Sequence, residues 1–454
     1  MMTDIDPAAM HTWDAAMADE VLAYVRERLA MTEAPLDFPG DHGDVMAALE
    51  GLVSASGSGV TEVMRRYDEV LSRTVISADS PRFFSFIPAA PSKAALLFDT
   101  VVSAASLQGV SWLEASGAIA AENQVLRWLA DAAGMPEGAG GVFVQGGSAG
   151  NLSALAVARD EGRRRLGDPR ARVRVAVSSD AHSSIRNSLR LLDMDAFEVP
   201  VVDHRLTGDA LTAALTADSQ PQTVVAVAAT AGTTNAGIID DLAGIARECK
   251  KWNLWFHVDG AYGGAGLLSD QRDQFAGIEE CDSFIVDPHK WLFAPFDSCA
   301  LIYANPAAAR RTHTQDAGYL DVIHQGEGWN PGDYAHQLTR RARGLPLWFS
   351  LCVHGTDAYR AAVQASIDVT ARVAAEIERC DYMELVRDPS LSIVLWRRAG
   401  WVHADYERLQ HRLLDAQAAF VTPTVWEGET VGRFAFVHPA TTMEMVLEVI
   451  DACR

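Results

Sequence analysis

Short apolar runs alternate with longer amphipathic segments through the middle of the chain. Segments with apolar residues at helical spacing, such as NLSALAVARDEGRRRL and DLAGIARECKKW, lie between several of these runs. Strands that are buried on both faces and alternate with helices are typical of a mostly parallel sheet. The pattern therefore predicts an α/β fold with helices on both faces of a central sheet. Its predicted strands are GVFVQ, RVRVAVSS, TVVAVAAT, LWFHVDG, SFIVD and CALIYA.

The two ends of the chain follow other patterns. Helices are predicted before residue 76, in 12–30, GDVMAALEGLVSASG and TEVMRRYDEVLSR, and the turn-rich stretch SADSPRFFSFIPAAPS ends them. After QGEGWNPGDY, the C-terminal hundred residues are typical of a small α+β domain. Its predicted elements are helix 356–380, strand LSIVLWRR, helix 403–418 and strand RFAFVH. We predict three units: an N-terminal helical segment (1–75), a large domain (76–355) and a small domain (356–454).

Composition and charge limit the classes of function. The 454 residues are 49% hydrophobic and 22% charged, which is ordinary for a globular protein. A net charge of −22 argues against a nucleic acid or an anionic membrane as partner. The six cysteines show no CxxC pair and no zinc spacing, which favours reduced thiols and no metal site. Without an apolar signal segment or a run of 18 apolar residues, we expect a cytoplasmic protein.

One lysine lies in an otherwise mostly apolar stretch, CDSFIVDPHKWLFAPFDSCALIY. Lys290 follows His289 directly after a predicted strand, and lysine is rarely buried without a partner. One interpretation is a lysine whose stem is covered and whose amine reaches water. The other is a reactive amine, because desolvation favours the neutral, nucleophilic form.

Three further features follow predicted strands: a small-residue turn, a histidine and an aspartate. Gly147, Ser148 and Ala149 form a small-residue turn that opens a helix, which suits a phosphate group or simply a tight turn. His182 precedes a helix whose N-cap is predicted to be Ser183 or Ser184. It is either a capping or surface residue or a ring that stacks on a planar cofactor.

Asp259 ends a buried strand and therefore needs a partner. A backbone cap, an arginine or a protonated pyridine nitrogen would satisfy it, and Ala261 is small enough for a ring to lie against the backbone. Lys290 follows 31 residues later (290 − 259). A lysine together with an acidic partner for a pyridine nitrogen is the binding pattern of pyridoxal 5′-phosphate, PLP.

The motifs GGSAGN, SSDAHSS, HVDGAYGG and DPHKW, in this order, resemble the PLP-dependent group II amino-acid decarboxylases. That family includes aromatic-L-amino-acid, tyrosine and glutamate decarboxylases. PRFFSFIP and GVSW also resemble its substrate-side segments. The resemblance implies fold type I, which is aspartate-aminotransferase-like, with PLP as cofactor and a homodimer whose sites are completed by the neighbouring subunit.

The resemblance also implies roles for the cofactor residues. Lys290 would bond to PLP, Asp259 would keep the pyridine nitrogen protonated, and His182 would stack on the ring opposite Ala261. The turn at Gly147, Ser148 and Ala149 would bind the phosphate. Thr234 would lie near the polar edge of the ring, and His289 would face the reacting carbon. Asp287 would lie close to the phosphate, point away from it or pair with a cation.

Other roles concern the substrate. TQDAGYLDVI resembles the mobile catalytic loop of the family, which makes Tyr319 the proton donor, although a surface tyrosine fits the residues equally. Arg433 would meet the substrate carboxylate or be a surface arginine. The predicted apolar pocket, which favours an aromatic substrate, is lined by Phe84, Phe86, Val110 and Trp112.

The expected reaction is decarboxylation of an L-amino acid, with an aromatic one favoured, to its amine and CO2. The alternatives are decarboxylation coupled to oxidative deamination, aminotransfer, an acidic substrate, and a PLP-fold regulatory or scaffold protein without activity. Two departures from the family bear on the site. Asp287 stands where many members have asparagine, and Ala89 stands where aromatic decarboxylases often have a hydroxyl residue.

Overall fold

The structure is a computed structural model that describes residues 6, 8–315, 318 and 328–454. Its larger sheet has the strand order β1-β7-β6-β5-β4-β2-β3, and β7 runs antiparallel to both of its neighbours. The remaining strand pairs are parallel, so six strands share one direction. The predicted mostly parallel sheet is confirmed. Its strands are β1 (Gly140–Val144), β2 (Arg174–Val177), β3 (Asp195–Glu198), β4 (Val224–Thr230), β5 (Trp255–Asp259), β6 (Ser283–Val286) and β7 (Cys299–Tyr303).

Helices precede and surround this sheet. None of the helices that the structure describes is long and apolar enough to cross a membrane. The N-terminal helices are α1 (Ala15–Ala30), α2 (His42–Leu49) and α3 (Val60–Glu69). Those of the large domain are α4 (Lys93–Ala104), α5 (Trp112–Ala132), α6 (Gly147–Leu166), α7 (Ser183–Leu191), α8 (Gly208–Ala217), α9 (Leu242–Trp252), α10 (Pro306–His313) and α11 (Leu345–His354).

Local sequence explains where α6 and α9 end. Arg163, Arg164 and Arg165 in the last turn of α6 complement the negative end of the helix dipole. Gly167 then adopts the left-handed conformation (φ 68°) that ends the helix. The α9 helix ends in the same way, with basic residues in its last turn and Asn253 in the left-handed region. Both helices pack on the sheet.

The C-terminal residues form an antiparallel sheet in the order β10-β11-β9-β8. The strand predicted from RFAFVH begins earlier than expected, at Glu429, because Glu427 and Gly428 both have positive φ and form a two-residue hairpin turn from β10. The elements are α12 (Thr356–Arg379), β8 (Met383–Leu385), β9 (Ile393–Arg398), α13 (His403–Asp415), β10 (Thr424–Trp426), β11 (Glu429–Ala435) and α14 (Met443–Ala452).

A segment that precedes the large sheet packs with this C-terminal sheet. Phe84 is fully buried, and its ring lies 5.3 Å from that of Phe436. The Phe84 N–H donates to the carbonyl of Phe420 at 2.9 Å. A segment that precedes the large sheet in the sequence is therefore part of the core of the C-terminal sheet.

Candidate active site

A cavity of about 570 Å³ opens at the carboxyl edge of the large sheet. Because β1, β4, β5 and β6 share one direction, the segments that follow them meet at this edge, as is usual for ligand sites in open α/β sheets. The ten residues predicted to bind the cofactor all line this cavity. They are Gly147, Ser148, Ala149, His182, Thr234, Asp259, Ala261, Asp287, His289 and Lys290.

The Lys290 amine faces the carboxylate of Asp287. Lys290 Nζ lies 2.9 Å from Asp287 Oδ2, and both side chains are largely buried. Burial alone lowers the pKa of Lys290, but the charge of Asp287, and to a smaller extent that of Asp259, raises this pKa above the ordinary lysine value. The lysine is therefore held as an ammonium ion beside a buried carboxylate.

Both carboxylate oxygens of Asp259 accept hydrogen bonds. The side-chain amide of Asn151 donates to Oδ2 at 2.8 Å, and the N–H of Ala261 donates to Oδ1 at 3.0 Å. Asn151 lies near the start of α6, which packs on β5. The helix that begins at the cavity thus also orients the carboxylate that ends the strand.

A chain of hydrogen bonds fixes the orientation of Asn151. Its Oδ1 lies 2.8 Å from His257 Nε2, and His257 Nδ1 lies 2.8 Å from the Ser283 hydroxyl. The Trp255 indole N–H donates to the same hydroxyl at 2.9 Å. Burial lowers the pKa of His257, so the ring is neutral. Ser283 then donates to Nδ1, and His257 donates from Nε2 to the Asn151 oxygen, which leaves the amide NH2 to face Asp259.

The same amide reaches the predicted stacking histidine through a serine. Asn151 Nδ2 donates to Ser184 Oγ at 3.0 Å, and Ser184 Oγ lies 2.8 Å from His182 Nδ1. The predicted N-cap, Ser183 or Ser184, is wrong. His182 itself caps α7, because its Nδ1 accepts the N–H of Ser184 at 3.2 Å. This bond fixes the direction of the imidazole ring at the edge of the cavity.

A backbone carbonyl and an aromatic ring fix the position of His289. Its Nδ1 donates to the carbonyl of Ser298 at 2.7 Å, and its ring packs against Phe296 at 4.8 Å. The other nitrogen, Nε2, lies 3.8 Å from Asp287 Oδ2. Burial lowers the pKa of His289, so this imidazole is neutral at pH 7.

The first turn of α6 is shaped to accept an anion. The N-cap is Gly146, and no described side chain caps this end of the helix. A Cβ atom on Gly147 would lie 3.0 Å from Asp287 Oδ2 and 3.2 Å from Ala261 Cβ, so only glycine fits there without displacement. Gly147, Ser148 and Ala149 line the cavity at the positive end of the helix dipole, which is the kind of position that a phosphate group favours.

The predicted substrate residues lie elsewhere in the single chain. Phe86 is 61% exposed, and Trp112, at the start of α5, is 41% exposed. Val110 is buried, with its carbonyl accepting the N–H of Gly332 at 3.1 Å. None of these three lines the cavity, and neither does Phe84, which is buried in the C-terminal core. Tyr319 lies outside the described residues.

Arg433 also does not line the cavity, and it is not a surface arginine. It is 5% exposed, and its guanidinium donates to three backbone carbonyls, those of Phe86, Thr234 and Asn235. In this arrangement it joins β11 to the loop that carries Thr234. Its Nε, Nη1 and Nη2 atoms each donate to a backbone carbonyl, and the contact with a substrate carboxylate stays a prediction.

Two residues of the site were not predicted from the sequence, Asn151 and His257. His257 lies two residues before Asp259 and therefore on the same face of β5. A histidine inside a buried apolar strand needs a hydrogen-bond partner. This need could have singled out His257 in the sequence. The partner itself depends on how α6 packs on the sheet, which the sequence pattern does not show.

Comparison with known proteins identifies the family. The family model described as "Pyridoxal-dependent decarboxylase conserved domain" matches residues 43–399. The chain therefore belongs to the pyridoxal-dependent decarboxylase family. The site fits this cofactor, because the uncapped turn at Gly147, the carboxylate of Asp259 and the amine of Lys290 face one cavity. The protein is a PLP-dependent amino-acid decarboxylase of fold type I.

Relatives match over most of the chain. An aromatic-L-amino-acid decarboxylase from Bacillus atrophaeus is 28% identical over 413 residues, which cover 88% of this chain and 85% of that protein. An L-2,4-diaminobutyrate decarboxylase from Rhizobium meliloti (strain 1021) is 33% identical over 372 residues, 79% of this chain and 74% of that protein. The crystal structure of Oryza sativa TDC with PLP and tryptamine has the same fold, with a TM-score of 0.88 at 23% identity over 100% of this chain and 99% of that one.

Proposed function

We propose that the chain converts an aromatic L-amino acid to its amine at the cavity around Lys290. The observation that carries the location is the convergence of Lys290, Asp259 and the turn at Gly147 on one cavity. Lys290 would hold PLP covalently, Asp259 would keep a proton on the ring nitrogen, and the N–H groups of the turn would bind the phosphate. When bound, PLP supplies a ring that accepts the electron pair of the broken Cα–carboxylate bond.

The residues of this chain prepare the site for that chemistry. Asn151 donates a hydrogen bond to Asp259 and so orients the carboxylate that is proposed to face the ring nitrogen. His182 is fixed as the N-cap of α7 and would cover one face of the ring, with Ala261 opposite. His289 and Tyr319 are the groups proposed to face the reacting carbon, and Tyr319 is proposed to return the proton to Cα after CO2 leaves.

The substrate class is supported by the Bacillus relative and by the charges of the cavity. The described lining contains three carboxylates, those of Asp259, Asp287 and Asp297, but no arginine. Such a lining disfavours glutamate or aspartate, because it offers no arginine to pair with their side-chain carboxylate. An aromatic ring requires no charged partner.

A second candidate substrate is diaminobutyrate. The Rhizobium relative acts on this compound by name, and the described lining, with carboxylates but no arginine, is suited to a second amine. Release of CO2 and formation of amine across the twenty amino acids and diaminobutyrate test the choice. We expect aromatic amino acids to give the highest kcat/KM. Aldehyde or keto-acid products in place of amine would indicate the oxidative or aminotransfer alternatives.

We further propose a homodimer in the cytoplasm. Apolar side chains of α1 and α4 are exposed in the single chain, among them Met17, Leu22, Leu97 and Val101, and a second copy would cover them. Phe86 and Trp112, exposed outside the cavity, would then be available to the neighbouring site. All six cysteines are free, which suits a reducing compartment. Sedimentation tests the dimer, and a fully active monomer would contradict it.

A further inference from the structure

The carboxylate of Asp287 lies against the first turn of α6. A Cβ atom on Gly147 would lie 3.0 Å from Asp287 Oδ2 and 3.3 Å from Oδ1, so the carboxylate is nearly in contact with the backbone of this turn. The Asp287 side chain is 2% exposed, and its Oδ1 accepts no hydrogen bond from the described groups. A buried, incompletely bonded carboxylate oxygen is thus present beside the proposed phosphate site.

Lys290 provides the positive charge at this carboxylate, with Nζ 2.9 Å from Oδ2. The other titratable groups beside Asp287 are the His289 imidazole and the Cys299 thiol. Burial lowers the pKa of His289 and raises that of Cys299 well above its ordinary value, so both are neutral at pH 7. Asp259 adds a further negative charge that acts on Lys290. In the free enzyme, the charge of Asp287 is therefore balanced by the ammonium group of Lys290.

This balance changes when the cofactor is attached. An ammonium ion has no lone pair, so Lys290 must lose a proton before its Nζ can attack the PLP aldehyde. The free amine and the aldehyde then form a C=N bond and release one water. The phosphate, with a charge between −1.5 and −2 at pH 7, would lie at the turn that Asp287 contacts. Two anions this close in a buried site disfavour each other strongly.

We propose that Asp287 takes the proton of Lys290 when this lysine bonds to PLP, and that the resulting carboxylic acid donates a hydrogen bond to the phosphate. Atoms and charges balance. The ammonium, the carboxylate and the aldehyde give the C=N bond, the neutral carboxylic acid and one water. A carboxylic acid has one O–H donor and nearly the shape of asparagine, so Asp287 would act as a base during attachment and as a neutral donor afterwards.

The inference rests on the proposed position of the phosphate at Gly147 and extends it. It assigns to Asp287 a proton that no neutral residue at this position could accept. It also explains how a carboxylate is tolerated beside a phosphate, because the bonding of Lys290 to PLP removes the charge of Asp287.

Infrared difference spectroscopy tests the proposal directly, because a protonated carboxylic acid has a C=O band distinct from that of a carboxylate. The spectrum of the free enzyme is subtracted from that of the PLP-bound enzyme. Buried carboxyls such as Asp240, whose burial raises its pKa to about 7, are present in both states and cancel if PLP does not change them. We expect a new carboxylic acid band with PLP. Pyridoxine 5′-phosphate has no aldehyde and leaves the Lys290 ammonium intact, so it should give no such band.

Two variants assign the band. Asp287→Asn should bind PLP and lose the band, whereas Asp297→Asn should retain it. Asp297 is a matched control because it lines the same cavity but pairs with Arg343 at 2.7 Å. If Asp287→Asn does not fold, the wild-type spectra still decide. A PLP complex without the band would overturn the proposal, and so would a band of equal size with pyridoxine 5′-phosphate, since the proton would then come from solvent.

Borohydride trapping on the same sample separates this inference from the proposed site. If PLP is trapped on Lys290 but no carboxylic acid band appears, only the proton transfer to Asp287 is wrong. If PLP is trapped on another lysine, the proposed cofactor site itself is wrong.

Discussion

The side-chain amide of Asn151 lies 2.8 Å from Asp259 Oδ2, and its oxygen lies 2.8 Å from the imidazole of His257. Asn151, near the start of α6, therefore links two groups. One is the Asp259 carboxylate, which is proposed to face the ring nitrogen, and the other is the chain of hydrogen bonds that begins at His257 inside the sheet. Because the neutral His257 can donate to Asn151 only from Nε2–H, the amide cannot rotate without losing hydrogen bonds on both sides.

We predict that Asn151→Ala weakens PLP binding by about 10- to 100-fold, because it removes a hydrogen bond to a charged group, which contributes about 1.5–3 kcal/mol. A fluorescence titration of the free enzyme with PLP measures this change. Asn187→Ala is the matched control, since Asn187 also lines the cavity but its side chain bonds the exposed Arg190. Equal PLP affinity in Asn151→Ala and the wild type would contradict the role given to Asn151.

Gly147→Ala should also weaken PLP binding, by about 10- to 100-fold, because overpacking a tight site costs about 1–3 kcal/mol. The added methyl group would lie 3.0 Å from Asp287 Oδ2 and 3.2 Å from Ala261 Cβ. Gly138→Ala serves as the control, since a Cβ there meets nothing within 4 Å. If both variants bind PLP like the wild type, the phosphate does not lie at this turn.

Much of the fold follows from hydrophobic pattern alone. All seven residues of β4 are buried, so TVVAVAAT predicts its strand almost residue for residue. The β3 strand was not predicted, because it lies at the sheet edge, pairs only with β2 and has alternate exposed residues in the short sequence DAFE. The division into 1–75, 76–355 and 356–454 stays a prediction, and the burial of Phe84 in the C-terminal core shows a contact across it.

The sequence predicts the positions of those site residues that lie at or just after the ends of strands. Asp259 ends β5 and Lys290 follows β6, and these strands are adjacent and parallel, so the topology brings the two residues together. The pairing of Asn151 with His257 depends instead on helix packing, and the engagement of Arg433 by the backbone depends on the docking of the C-terminal sheet. Sequence spacing carries no information about either contact.

Acid should destabilise the protein through its buried histidines. His313 donates from Nε2 to the Ser153 carbonyl at 3.0 Å, and burial lowers its pKa to about 4. Between pH 6.5 and 4 the unfolded chain binds the proton more readily than the folded chain, so stability falls as the pH falls. This group accounts for about 2 kcal/mol between pH 7 and pH 5.

Urea unfolding at the two pH values tests this prediction. His313→Gln should lose about 2 kcal/mol less than the wild type on acidification. His403→Gln, on the exposed face of α13, should behave like the wild type. An unchanged pH dependence in His313→Gln would show that His313 is not the group that titrates.

The role proposed for Tyr319 rests on the resemblance of TQDAGYLDVI to the catalytic loop of the family. Tyr319→Phe should still bind PLP and release CO2, while amine formation falls by about 10²- to 10⁴-fold, because the acid that protonates Cα is lost. Dioxygen would then oxidise the unprotonated carbon and give aldehyde, ammonia and peroxide. Amine formation at the wild-type rate without aldehyde would exclude Tyr319 and direct the test to His289 or His182.

Every role proposed for the cavity depends on our claim that PLP bonds to Lys290. Reduction of the PLP-loaded enzyme with borohydride, followed by peptide mapping, tests it directly, because the chain has only three other lysines, Lys93, Lys250 and Lys251. We expect the pyridoxyl group on the peptide that contains Lys290, and Lys290→Ala should lose both the cofactor absorption and CO2 release. A pyridoxyl group on any other lysine, or a protein that never takes up PLP, would contradict the claim.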